Sequence, residues 1–430
     1  MIRNLLLLML LNPLLVLGQQ TISGTFSPAE KYEWGILYRI DPTSTFYTVD
    51  TRFQEGSFSM EVDSTQRPGM YRFVYGIPTD VNNFDLIYSG DEDIILEFDE
   101  VKGVSFIESQ ENLMWENYRS SIAELNGNIE KVYAEGQPDG TILTALFEGG
   151  RTIQDAFEAS SKDLLVGHFI KASRFDYPTD SLSKANYQAL MMKNYFKYTD
   201  PTAAVLQNSR FIYNRVVDFI KNGGDLDMVA EFLAPTHPEY RKAMLLSFWQ
   251  QLVLDKRSDA ANYLSKNHLV PLARELNDSV LVDALLKYES LSIGARAPNF
   301  SYQDKNEKTR WFHDLDGAEH FILVFWSSVC SHCLKELPQL QKHMQSIPDG
   351  SYKVVAFGLE DDIYNWKNET YRLPDFLHVP GLGKWENETG KAYDVTKTPT
   401  YFILDKDKTI LAKPETYEEL IESLEANQQE

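Results

Sequence analysis

The sequence predicts a multidomain chain with an N-terminal all-β, sandwich-like domain, an α-helical middle region and a C-terminal α/β domain. Three observations predict it. Apolar residues alternate with polar ones between residues 21 and 106. They fall into helical spacing from there to about residue 291. Beyond Ala297-Pro298, apolar strand runs take turns with helical segments. At 430 residues the chain also exceeds the roughly 100–200 of one ordinary domain. The expected division is residues 1–18 as a leader, 19–106 as β, 107–291 as helical and 292–430 as α/β.

The leader rests on Arg3, the one charge among the first four residues, and on residues 5–17, apolar except for Asn12 and Pro13. Val16-Leu17-Gly18 then offers side chains a signal peptidase reads, which predicts a mature chain starting near Gln19. An uncleaved anchor is the alternative. The run is shorter than the roughly 20 residues of a spanning helix, and no other segment approaches that length. No Cys adjoins the cleavage point for lipid attachment.

In the β region, Phe58, Met60 and Val62 alternate with polar residues, as do Tyr71, Phe73 and Tyr75, then Leu96 and Phe98. Glu55-Gly56, Pro68-Gly69 and Ser89-Gly90-Asp91 read as turns. In the middle, Tyr118, Ile122, Leu125, Ile129 and Val132 share a helix face, as do Ile212, Val216, Phe219 and Ile220 ahead of Gly223-Gly224. Residues 240–254 and 278–291 are its later helices, with Pro235, Pro238 and Pro271 near boundaries. These stripes read as core, and no chemistry is legible there. The last part is expected to run strand 321–326, helix 329–344, strands 352–359 and 400–404, and closing helix 417–427.

With 43% hydrophobic and 24% charged residues, the composition is that of a soluble globular protein. Forty-one basic against 63 acidic residues give a net charge of −22, a field that repels phosphate backbones and anionic lipid, so no nucleic-acid partner is expected. The acidity reads as a solvated surface or as a lure for basic partners. Only two cysteines occur, Cys330 and Cys333, so there is no structural disulfide framework. Two cysteines scattered at random would fall three apart roughly once in 200 trials. Their spacing predicts that they react with each other.

Cys330-Ser331-His332-Cys333 follows an apolar strand that ends in Phe325-Trp326 and opens the next helix. A helix N-terminus favours a thiolate by about 0.3–1 kcal/mol, so further donors must supply any large depression of the Cys330 pKa. One turn of helix brings the two sulfurs together, which makes Cys330 the exposed attacking thiolate and Cys333 the shielded resolving thiol. His332 either favours that thiolate as an imidazolium or stands exposed with little effect. A zinc site would have to recruit His313, His320, His343 or His378, with no second Cys pair, so no metal or organic cofactor is expected. Thr398-Pro399 stands just ahead of a later apolar strand, where it can lie beside the sulfurs.

Residues 293–430 resemble the TlpA and ResA-like thioredoxin-fold proteins of the bacterial envelope. The resemblance is carried by Ala297-Pro298-Asn299-Phe300, Phe325-Trp326, Cys-Ser-His-Cys, Glu336, Pro338 and Thr398-Pro399-Thr400. It implies an oxidoreductase in the periplasm or cell envelope of a Gram-negative bacterium, reducing exported thiol proteins and served by an unidentified electron donor or acceptor. It also implies that Glu336 exchanges protons with the thiols, a solvated carboxylate being the alternative, and that a cis peptide precedes Pro399. Cytosolic thioredoxins carry a buried Asp where this chain has Val324. The His before the second Cys is similar to that of disulfide oxidases, so the direction of transfer stays open. Residues 20–106 more loosely resemble a small β domain of unknown function that precedes such domains. Two rival readings are an envelope binding or scaffold protein, and a peroxidase of the peroxiredoxin type. The peroxidase wants a lone nucleophilic Cys and a distant resolving Cys, although Ser327 does lie three before Cys330.

Overall fold

A computed structural model describes residues 20–427 apart from 43, 136–138 and 305; the expected leader lies outside the described residues. The chain divides into two compact units, residues 1–245 and 246–430. The sandwich and the helices up to residue 245 fall in the first unit, and the later helices fall with the C-terminal sheet in the second.

In the first unit, eight strands form two four-stranded sheets. The strands are β1 (Gln20–Ser27), β2 (Trp34–Asp41), β3 (Ser44–Arg52), β4 (Ser57–Val62), β5 (Gly69–Val74), β6 (Asn83–Tyr88), β7 (Ile94–Asp99) and β8 (Gly103–Glu108). The sheet orders are β4-β1-β7-β8 and β3-β2-β5-β6. Period-two alternation drives this: Phe58, Met60 and Val62 on one sheet and Tyr71 and Phe73 on the other enter a shared core. Glu55 and Gly56 take positive φ (51° and 76°) between the bridged Gln54 and Ser57, the two-residue turn that matches strand twist.

The helix Gln110–Ala134 buries Tyr118, Ile122, Leu125, Ile129 and Val132 as its stripe requires. Its Asn112 amide accepts from the Ile87 N–H and donates to the Ile87 carbonyl, both at 2.8 Å, so it occupies a ladder position on edge strand β6. The helix Phe211–Lys221 buries Ile212, Val216, Phe219 and Ile220, and Arg215 with them.

The second unit begins with helical chain in which Pro271 was expected near a boundary. Pro271 does stand in the first turn of Val270–Glu275, which follows helix Ser258–Leu264 through the π turn Ser265–Leu269. The widened turn accommodates a residue that has no N–H to donate and whose ring crowds the preceding turn. After a small hairpin of β9 (Ser301–Gln303) and β10 (Thr309–Trp311) comes a five-stranded sheet. Its strands are β11 (His320–Trp326), β12 (Tyr352–Glu360), β13 (Leu377–Leu382), β14 (Thr400–Asp405) and β15 (Ile410–Ala412), in the order β13-β12-β11-β14-β15. β12 runs parallel to β11 and β13, and β14 antiparallel to β11.

Alternate residues of β11 supply both faces. Phe321, Leu323 and Phe325 pack with Phe300, Phe312 and Tyr393. Ile322, Val324 and Trp326 pack with Cys333, Leu337 and Leu340 of helix Ser331–Met344 and Leu420 and Leu424 of helix Tyr417–Asn427. β13, β15 and the helices Ile363–Thr370 and Glu388–Ala392 were not anticipated. The architecture is that of the predicted class: β sheets, then helices, then an α/β sheet domain.

Candidate functional site

Strand register assembles the site at one end of the sheet. Trp326 pairs with Gly358, so Ser328 lies level with Glu360 on the neighbouring strand; Phe325 pairs with Thr400, so Thr398 reaches the loop on the other side. Trp326 is buried among the residues around Cys333.

Ser327 and Ser328 are buried polar residues and need acceptors. Glu360, 4% exposed at the end of β12, supplies them. Its carboxylate accepts from the Ser328 N–H at 2.5 Å, the Ser328 hydroxyl at 2.9 Å and, weakly, the Ser327 hydroxyl at 3.5 Å. Burial pushes the Glu360 carboxyl above the ordinary range, and the Ser328 bonds pull against it. Sequence reasoning missed this clamp; its signal was an acid ending the run of residues 354–359, which has no polar side chain.

Cys330 is the N-cap of helix Ser331–Met344, which starts two residues later than the expected 329. It is partly buried rather than exposed, whereas Cys333 is fully buried. The Cys330 thiol donates to the Thr398 carbonyl at 3.2 Å, and the Thr398–Pro399 peptide is cis. Partial burial is the largest influence on the Cys330 thiol and raises its pKa. Bonds from Thr398, from Cys333 through both backbone and thiol, and from the His332 backbone N–H outweigh it, and the net shift is downward. Cys333 moves the opposite way, pushed well up by burial and then by its bond and proximity to Cys330. One thiol of the pair is therefore poised to ionise and the other to hold its proton.

The supporting residues divide. The His332 side chain is exposed, and what it brings to the sulfur is its backbone N–H. Glu336 is half-buried and accepts from the Tyr401 hydroxyl at 2.8 Å. Tyr401, on β14 two residues after Pro399, was not anticipated. Burial holds its phenol protonated, and Glu336 and Cys333 both reinforce that. Val324 is buried against Cys333, where a thioredoxin's Asp would stand. Pro338 lies within the helix. His378, one of the histidines considered for zinc, is kept neutral by burial and bonds the Leu373 carbonyl.

Residues 293–413 match the AhpC/TSA family. The chain is 29% identical over 141 residues to the thiol-disulfide oxidoreductase ResA of Bacillus thuringiensis subsp. konkukian, covering 32% of this chain and 80% of that one. It is 34% identical over 106 residues to the sporulation thiol-disulfide oxidoreductase A of Bacillus subtilis, covering 24% and 64% respectively. Among solved structures it is similar to the thioredoxin domain of a thiol-disulfide oxidoreductase from Bacteroides vulgatus, at 23% identity and a TM-score of 0.29, over 32% of this chain and 98% of that one. The C-terminal domain is a ResA-like thioredoxin-fold domain. The protein is a protein thiol-disulfide oxidoreductase.

Proposed function

We propose that this chain is exported to the cell envelope and there reduces disulfides of exported client proteins through Cys330 and Cys333, with no metal or organic cofactor. The leader-like residues 1–18 support export. The observation that carries the chemistry is the opposed environment of the two thiols: Cys330 lowered by surrounding donors, Cys333 raised by burial.

The Cys330 thiolate attacks a client disulfide, forming an S–S bond and expelling one client thiolate. Cys333 then gives up its proton, with Glu336 and its Tyr401 partner as the adjacent acceptor system, and attacks the Cys330 sulfur. The second client thiolate leaves, two electrons have passed to the client, and the enzyme holds a Cys330–Cys333 disulfide. An envelope electron donor restores the dithiol. The Thr398 carbonyl beside Cys330 is placed to register an extended client chain.

Insulin reduction by the mature full-length chain, coupled to dithiothreitol, tests this: wild type is expected to accelerate precipitation and Cys330→Ser to abolish the acceleration. An inactive wild type would favour the binding or scaffold reading. Equilibration of the pair with glutathione fixes direction, because each 30 mV is about 1.4 kcal/mol and a strongly oxidising value would reverse the assignment as reductant.

A further inference from the structure

The first unit contains a cavity of about 640 Å³, within the range of small-molecule sites. Its lining sets aromatic rings, among them Phe106, Trp115, Tyr118, Phe175, Tyr195 and Phe211, beside polar and charged side chains. Trp115 stacks on Tyr118 at 5.8 Å, and the Tyr118 hydroxyl is satisfied by Gln154.

Into this wall the helix Phe211–Lys221 brings Arg215, only 9% exposed. Its guanidinium donates through Nη2 to the Tyr195 carbonyl at 2.5 Å and lies 4.5 Å from the Tyr195 ring. Its Nε–H has no partner among the described residues. A buried guanidinium with five donors is ordinarily met by a carboxylate, and here none is bonded to it. The acids nearby are otherwise engaged. Asp85 is held by Nε and Nη2 of Arg72, at 2.7 and 2.9 Å; Glu116 accepts from the Phe106 backbone and is pushed by burial toward its neutral form; Asp218 is exposed to solvent and acts on Arg215 only through space. Arg119 and Arg210 also border the cavity, so three arginines stand against the three acids in its lining.

We infer that this cavity is a binding site for a small organic monocarboxylate with an apolar or aromatic body, its carboxylate meeting Arg215 and its body packing on the aromatic wall. A phosphate dianion fits less well, because Asp85, Glu116 and Asp218 also line the cavity and oppose a second negative charge. Neither Cys330 nor Cys333 is among the residues that line it.

Calorimetric titration of the mature full-length chain with 3-phenylpropionate and 1-naphthylacetate, each beside its uncharged amide, tests the inference. The acids are expected to bind at one site and the amides about tenfold or more weaker, the worth of one charge-assisted bond. Arg215→Met should weaken the acids to the level of the amides. It should also match or exceed the wild type in ligand-free thermal stability, because it removes a buried cation to which no carboxylate is hydrogen-bonded. No binding of either acid at millimolar concentration, equal binding of acid and amide to the wild type, or undiminished binding by Arg215→Met would overturn the inference. A marked fall in the melting temperature of Arg215→Met would overturn it too, by making Arg215 a structural residue.

Discussion

Glu360 and Arg215 are both charged residues placed in largely buried surroundings, one in each compact unit, and their neighbours treat them differently. Glu360 meets three donors from two adjacent serines, so its charge goes into fixing the loop that leads to Cys330. Arg215 makes one hydrogen bond and faces rings across a cavity. A buried ionisable group that is saturated works for the fold, whereas one left short of partners is available to a ligand. By this criterion the thiol site is built wholly from its own domain. Its function should not depend on Arg215.

The sharpest way to break that separation is to trap clients. Cys333→Ser stops resolution, so mixed disulfides through Cys330 should accumulate, stable on a non-reducing gel and released by dithiothreitol. Cys330→Ser should trap none, because Cys333 is fully buried and held as the thiol. The double variant Cys333→Ser/Arg215→Met should trap the same clients to the same extent. Loss of trapping in the double variant would join the two regions, and equal trapping by the two single variants would overturn the roles of the thiols.

A smaller effect is expected at Glu360. Glu360→Gln leaves one acceptor for donors that had two oxygens, at a cost of about 1–3 kcal/mol in domain stability. The pH dependence has a definite sign. Burial raises the Glu360 pKa in the folded state above its value in the unfolded chain. Over the interval between those values the folded state binds more protons, so this contribution to stability is full at low pH and is lost as pH rises through the folded value. Denaturant melts from pH 4 to pH 8 should show that the variant lacks this component. An unchanged profile would mean that Glu360 titrates alike in the folded and unfolded chain, which overturns this contribution.

How much of this was legible follows chain continuity. Trp326, Cys330, Cys333, Thr398 and Pro399 lie within two short stretches whose strand and helix signals fix their positions, and β11, β12 and β14 appear within a residue or two of expectation. Glu360 reaches Ser328 only through the parallel register of β11 and β12, a pairing that no local pattern specifies. β13 contains Pro380-Gly381, which reads as a turn, and the polar helix Ile363–Thr370 offers few apolar positions. Arg215 carried a signal that went unread: it lies between Ile212 and Phe219 on the face called core, where a charge is out of place.

The finest test concerns His332, where the expected imidazole and the observed backbone donor make different predictions. If the ring favours the Cys330 thiolate as a cation, His332→Gln and His332→Pro should lower the reduction potential alike. The structure assigns the help at the sulfur to the His332 N–H, with the ring exposed. Gln keeps that N–H, so its potential should stay within about 10 mV of wild type, well under the roughly 30 mV that 1.4 kcal/mol represents. Pro removes it without breaking the helix, because position 332 is in the first turn, where the N–H has no intrahelical partner. A donor lost from the thiolate destabilises the reduced enzyme. His332→Pro should therefore raise the Cys330 pKa and make the pair more reducing by about 30 mV, roughly the worth of one hydrogen bond to a charged group. Glutathione equilibration of the three proteins, with iodoacetamide alkylation followed against pH, reads both quantities. Equal shifts for Gln and Pro would return the effect to the imidazole, and no shift for either would leave the remaining donors, Thr398 and Cys333, to hold the Cys330 thiolate without position 332.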